Sequence, residues 1–305
     1  MTLLAKKKYI LVGLEDPYGV DPTPTQAIET SELNINPLAG PRVSRNLDRA
    51  TLGNNLQVLV GSYVELTFKV ELAGSGAAGT RPAYADLLLA CAAAETVAAA
   101  TSVTYKPVSG DYDSVTIYFK HDGQEHILTG CYGSVDIEAD AGSIPHLAFS
   151  FMGLYNAPAS VSDGTPDFSD FLPALPVNNT NTTTFTLHSI AAVMERFNFK
   201  LGCQLEYRNV VGAESINLYD RLPSASTTIE TPPISTKNWF EAARLNQSGA
   251  FSMVHGVTAG NIVTLSGPVV VPTEPRYSGD KASLLQLGLT FLPNTGDDDW
   301  SLVFT

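Results

Sequence analysis

Val64-Glu65-Leu66-Thr67-Phe68-Lys69-Val70-Glu71 decides how the rest of the chain is read. Apolar and polar residues alternate without a break over this run. It is therefore a β-strand with one dry and one wet face, the pattern of an antiparallel sandwich rather than of a buried parallel sheet. Val135/Ile137/Ala139 against Asp136/Glu138/Asp140 show it again. Strands are expected over 33–38, 63–72, 101–108, 114–120, 125–140 and 145–154, bounded by turns such as His121-Asp122-Gly123. A second set is expected over 184–188, 196–201, 224–231, 249–255, 262–273 and 284–293.

The second set restates the first. Val43-Ser44-Arg45-Asn46 precedes strand 63–72, and Glu206-Tyr207-Arg208-Asn209 precedes strand 224–231. Each copy then carries one short helix signal, Pro82 to Leu88 and Lys237 to Ala243, with Pro82 near the first turn of the first and Thr236 as the expected N-cap of the second. Matched positions differ by 163 (Arg45 to Arg208), 155 (Tyr84 to Trp239), 135 (Thr129 to Thr264) and 138 (Phe149 to Leu287). So small a drift indicates duplication. The expected fold class is all-β with minor α: two tandem β-sandwich modules, each with one flanking helix. The modules are placed at 31–155 and 185–305, after an extended N-terminal arm over 1–30 and around a Pro-, Ser-, Thr- and Asn-rich linker at 156–184. The segments Gly40 to Gly61 and Gly202 to Pro223 read as loops too long for simple hairpin connections.

At 305 residues each half is large enough to bury its own core. Only 16% of residues are charged, which suggests surface hidden in contacts. Lys and Arg number 18 against 31 Asp and Glu, a net charge of −13, and this argues against a phosphate-binding surface. Three cysteines, Cys91, Cys131 and Cys203, cannot build a disulfide framework and are read as buried thiols. Glu15 and Asp16 cut the apolar run after Lys6-Lys7-Lys8 too early for a signal peptide, and no stretch has membrane-spanning length. A soluble protein made in a reducing compartment is expected.

Chemical motifs are thin. Gly74-Ser75-Gly76-Ala77-Ala78-Gly79 is a literal G-x-G-x-x-G between a strand and a helix, the order of a dinucleotide site. The strand before it alternates with charges, Thr80-Arg81-Pro82 separate it from the helix, and the second copy has Thr231-Pro232-Pro233-Ile234-Ser235 at the same place. A flexible turn is the better reading. His121, His126, His146, His188 and His255 form no metal-ligand spacing, and no Gly-x-Ser-x-Gly elbow is present. Asp297-Asp298-Asp299 reads as a solvated turn, and the sequons at Asn178, Asn181 and Asn246 as chance matches in polar loops. No catalytic residue, cofactor or metal ligand is assigned, and the chain is not read as an enzyme.

Tyr18-Gly19-Val20-Asp21-Pro22-Thr23-Pro24-Thr25, Val70 to Gly76, Phe149 to Tyr155 and Thr258-Ala259-Gly260-Asn261, in this order, resemble the tail tube (major tail) protein of long, non-contractile-tailed bacteriophages. The resemblance covers nearly the whole chain, in a form that fuses two tube modules. It implies a structural virion protein. Six modules of that family make a ring whose inner strands close into one barrel, and rings stack into the tube through which the genome is ejected. Two modules per chain then imply a homotrimer with pseudo-sixfold symmetry. The implied partners are other copies of the chain, the tape-measure, tail-terminator and distal tail proteins, and double-stranded DNA in passage without specific binding. The implied location is the virion tail, assembled in the host bacterial cytoplasm, with no membrane insertion.

Two groups of site residues follow. Arg42, Arg45, Asp48 and Arg49 in the first long loop, and Glu206, Arg208, Asp220 and Arg221 in the second, mix charges in a way that suits pairing between stacked rings. Glu65, Glu71, Asp136, Glu138 and Asp140 alternate with core positions, so they either line the channel or face outer solvent. By the 135 offset Asp136 and Glu138 align with Val271 and Thr273, so the lumen charge need not be sixfold. The alternative from another class is an extracellular or capsid-decorating sandwich that binds glycan or a host surface. Its mark would be exposed aromatics beside acids in loops, whereas Trp239 and Trp300 fall in a helix and a terminal strand. A dinucleotide-dependent enzyme comes third.

Overall fold

The computed structural model describes residues 2–305. The first half contains β1 (Lys8–Leu14), β2 (Gln26–Ile28), β3 (Ser31–Ala39), β4 (Arg42–Ser44), β5 (Gln57–Leu59), β6 (Tyr63–Glu71) and α1 (Ala85–Leu89). It continues through β7 (Ala93–Ala98), β8 (Ser102–Pro107), β9 (Val115–His121), β10 (Gln124–Asp140), β11 (His146–Tyr155) and β12 (Ala159–Ser160). The second half contains β13 (Thr182–Leu187), β14 (Ile190–Ala191), β15 (Met194–Lys200), β16 (Cys203–Val210), β17 (Ala213–Arg221) and β18 (Ser224–Glu230). It ends with α2 (Trp239–Arg244), β19 (Gly249–His255), β20 (Val263–Ser278), β21 (Leu284–Leu292) and β22 (Ser301–Phe304).

All pairings are antiparallel, and the two halves repeat one diagram. In the first, β1 pairs with β9, then β10, β11, β6 and β3 follow in turn. In the second, β13 pairs with β19, then β20, β21, β18 and β15 follow. The 17-residue β10 and the 16-residue β20 each run through both layers of their sandwich. A strand can change layers only where its ladder is broken by a bulge. In β10 the break lies between Leu128 and Tyr132, at Gly130 with φ +59°. In β20 the partners change from β19 and β22 to β21 across a break between Gly267 and Val270, and a second register shift within the β21 ladder lies between Thr273 and Arg276.

Alternation places Val64, Leu66, Phe68 and Val70 inside, where Phe68 stacks on Phe149 at 5.4 Å and on Phe151 at 6.0 Å. Phe185, Phe197 and Phe251 fill the second sandwich, with Phe197 and Phe251 stacked at 5.1 Å. Each such ring contributes about 1.5–3 kcal/mol by leaving water. The buried cluster is continuous through both halves.

Several expectations are corrected. The supposed arm contains β1 and β2, joined by the non-strand segment 15–25: Ile10 and Val12 are buried and β1 pairs with β9 along its whole length. A four-residue apolar run after lysines carries no alternation, so its partner alone reveals it. The two long loops are the hairpins β4–β5 and β16–β17. The N-cap of α2 is Asn238, whose side chain accepts the Glu241 amide, not Thr236. Asp299 is buried, and Asp297 pairs with Arg221 at 2.5 Å, so this acidic triplet is only partly a solvated turn. Cys91 and Cys131 are buried as expected, while Cys203 is half-buried.

The halves are not beads on a linker. Asp136–Asp140 of β10 pair with Arg196–Lys200 of β15, and β22 pairs with β8.

Candidate functional site

Among the described residues no group of three or more His, Cys, Asp or Glu could hold a metal ion; the distinctive features are one long sheet, its two ends and two hairpins. Through the β10–β15 pairing, eight strands join in the order β3-β6-β11-β10-β15-β18-β21-β20. Residues paired directly across strands point to the same face. One such row reads Glu71, His146, Glu138, Asn198, Ser226, Gly288, Thr273. Glu65, Asp136 and Asp140 share that side by the two-residue period, so the structure brings the five sequence-selected acids to one wet face.

Their neighbours moderate the charge. Lys69 Nζ lies 3.1 Å from Glu138 and 3.3 Å from Glu32, and Lys200 lies 3.8 Å from Asp136. Burial raises the pKa of Asp136 despite that lysine. Asn36 donates to Glu65 at 3.0 Å. Two depressions open on the face: one of about 630 Å³ beside Glu138, Asp140, Arg196 and Arg276, and one of about 240 Å³ beside Glu32, Lys69 and Asp136. The bulge in β20 changes the repeat alignment. Asp136 lies opposite Ala148, and Arg276 lies opposite Gln286, the residue that matches Ala148 by the 138 offset. Arg276 and Ser278, not Val271 and Thr273, are thus the counterparts of Asp136 and Glu138.

Among the described residues, both ends of the sheet are open. β3 pairs only with β6, and Val271–Ser278 of β20 pair only with β21. Tyr277 is 61% exposed although its first-half counterpart, Ile137, is 2% exposed beneath β15.

The eight charged loop residues separate into three environments. Arg42, Arg45, Asp48 and Arg49 lie on the exposed β4–β5 hairpin, beside exposed Leu47, Leu52 and Leu56. Glu206, Arg208 and Asp220 are exposed on β16–β17, which rests against the first half: Tyr207 packs on Tyr63 at 5.0 Å. Arg221 is tied inside the chain, donating to the Val108 carbonyl at 2.7 Å as well as to Asp297.

Sequence reading missed the socket that anchors this hairpin. Glu15 is buried and accepts hydrogen bonds from Ser114 Oγ (2.6 Å), Thr116 Oγ1 (2.6 Å), Gly19 N (2.7 Å) and Gly130 N (2.7 Å). Four donors satisfy a buried carboxylate that would otherwise be expensive. The loop so fixed stacks Tyr18 on Tyr132 at 5.8 Å, and the Tyr18 hydroxyl accepts from the Ile216 amide of β17 at 2.8 Å. Burial pushes the Tyr18 phenol up to about 12. An acid two residues before Pro17 has no sequence signal of burial; only the positions of Ser114, Thr116 and Gly130 reveal it.

The glycine motif also has a definite place. Gly74 donates to Asn261 Oδ1 at 2.7 Å and Gly76 to the Gly260 carbonyl at 2.9 Å. These glycines permit backbone-to-backbone contact between the halves rather than flexibility. A cofactor phosphate would need the space that Gly260 occupies.

The description "Phage tail tube protein" attaches to a family model that matches residues 5–291. No curated protein matches the chain. A match over nearly the whole length joins the duplicated sandwich, the open-ended sheet and the projecting hairpins in one conclusion: the chain belongs to the phage tail tube protein family, structural components of the virion tail.

Proposed function

We propose that three copies of this chain close into a ring with pseudo-sixfold symmetry and that rings stack head to tail into the conduit for DNA ejection. One observation carries the reading: the junction inside the chain is a template for the junction between chains. In the repeated diagram β3 stands where β15 stands and β20 where β10 stands, and β10 already pairs with β15. The open edge of β20 therefore fits the open edge of β3 in the next copy, which removes both unpaired edges. With six modules to a ring, as the family resemblance implies, three chains suffice.

The wet face of the long sheet then lines the bore. Glu65, Glu71, Asp136, Glu138 and Asp140 leave it net acidic, and phosphates are repelled from every side. Lys69, Lys200 and Arg276 break the sixfold repetition of that charge. Exposed charges at the hairpin tips, Asp48, Arg49, Arg45 and Arg208 among them, serve contacts between rings. Tape-measure, tail-terminator and distal tail proteins are the expected tube partners, and the host bacterial cytoplasm the expected place of assembly. Negative-stain electron microscopy with native mass measurement tests the reading. Annular particles of three chains, or tubes, are expected; strictly single chains at every concentration and salt tried would overturn it.

A further inference from the structure

The second half carries a groove of about 700 Å³ between the end of β17, the start of β18 and the end of β21, and the first half holds its own equivalent already filled. Phe149 matches Leu287, so Met152–Tyr155 correspond to Thr290–Pro293. Phe68 lies opposite Phe149 and Thr227 opposite Leu287, so Gly61–Tyr63 correspond to Asp220–Leu222. In the first half this place is covered by the β16–β17 hairpin, with Tyr207 against Gly61 and Tyr63. In the second half it is open, and Tyr219, Leu222 and Leu292 are 59%, 61% and 40% exposed.

Resting on the ring reading above, we infer that the base of the β4–β5 hairpin of the next chain in the same ring fills this groove. Three observations converge on that occupant. β4–β5 occupies in the repeat the place of β16–β17, and Ser44 is the counterpart of Tyr207 by the 163 offset. The hairpin has no cover of its own: Val43 and Val58 are 53% and 43% exposed. The charges are complementary, since residues 41–60 carry three Arg and one Asp, while the groove is lined by Asp220, Asp297 and Asp299 with Arg221 alone of opposite sign. Apolar contact between Val43 and Leu222 or Leu292, and ion pairing of Arg42 with Asp220, then fasten the outer rim of each chain boundary as β4–β5 passes over it. The hairpin tip beyond Arg45 stays free for the ring above or below.

The test is a cross-link that counts chains. Ser44→Cys and Leu292→Cys lie at exposed positions, so the doubly substituted chain keeps its fold, and the parent, with half-buried Cys203, serves as control. Treated with a short bismaleimide after assembly, the variant should yield covalent products that stop at three chains. Rings or tubes without product, or products that run past three chains because the bridge joins one ring to the next, would overturn the contact while leaving the ring intact. A parent that forms no rings at all would instead remove the ring reading itself. As a second measure, Arg42→Glu should raise the concentration for half-assembly about tenfold without changing the thermal midpoint of the single chain; an unchanged assembly concentration would also overturn the contact.

Discussion

Gly76 donates its amide to the carbonyl of Gly260 at 2.9 Å, across the seam between the two halves of the chain. Two backbones meet there with no side chain between them. A methyl group on Gly260 would overlap the Gly76 carbonyl, and one on Gly74 would overlap the Gly260 carbonyl oxygen. Gly260 also sits at φ +86°.

Gly260→Ala is therefore expected to cost about 3 kcal/mol, a left-handed penalty of about 1 kcal/mol plus overpacking at the seam. Gly142→Ala is the control, since it shares the left-handed backbone at φ +84° but has nothing within 4 Å of the added methyl group. It should show only the first part. Urea unfolding of both variants decides the matter: equal losses would mean that the seam adds nothing.

Glu15→Ala removes the acceptor of four hydrogen bonds and leaves buried Gly130 N, Ser114 and Thr116 without it. A loss of about 3 kcal/mol is expected. Because the same loop holds Tyr18 against β17, amide exchange at Ile216 should rise more than at Val12, in the core of β1. A uniform rise would show that Glu15 supports the whole fold and not that hairpin.

Stability should fall on mild acidification. Burial lowers the pKa of His126, His188 and His255 below the ordinary value of 6.5. In the unfolded chain these rings take up a proton near 6.5, whereas in the fold they resist it, so the unfolded state binds more protons as pH drops. Their contribution is intact above the histidine range and is lost progressively below it. His255, whose Nε2 lies 3.1 Å from the Leu175 carbonyl, ties the linker to β19. Replacing His255 with Asn should flatten part of the slope in denaturation midpoints measured between about pH 7.5 and 5; an unaltered slope would assign it to other groups. Asp122 and Asp163, held low by hydrogen bonds from Lys7, lose their contribution only at more acidic pH.

Asp136→Lys with Glu138→Lys reverses charge on the wet face without touching the core face of β10. Tubes should still assemble, because neither side chain lies on a sheet edge, while DNA delivery from virions built with the variant slows or aborts. Full infectivity, or a map of the tube with these positions on its outer wall, would overturn the lumen assignment.

Arg45→Glu with Arg208→Glu changes exposed hairpin charge in both halves and should leave the folded chain intact. Rings should persist while tubes shorten or vanish in electron micrographs. Tubes of normal length would remove these residues from the ring-to-ring contact.

Local pattern determined much of this protein. The two-residue period of Val64–Glu71 and of Val135–Asp140 is a property of consecutive residues, so strands, wet and dry faces and the duplication were legible in sequence, and with them the five acids as one class. Partnership was not legible. β1 hides in Ile10-Leu11-Val12, where apolar residues face both ways, and Ala93–Ala98 becomes β7 only because β8 lies beside it. The glycines of the 74–79 loop read as slack until Gly260 is seen against them. Arg221 reads as a surface charge until Asp297 and Val108 arrive from distant segments. Even the counterpart of Asp136 shifted from Val271 to Arg276 through a bulge that no spacing announces. Alternation fixes a strand's faces through short-range geometry, whereas neighbour, register and open edges arise from hydrogen bonds between segments far apart in the chain. Only the tertiary structure could decide that β10 meets β15 and that, among the described residues, one edge of β3 and the Val271–Ser278 edge of β20 stay open.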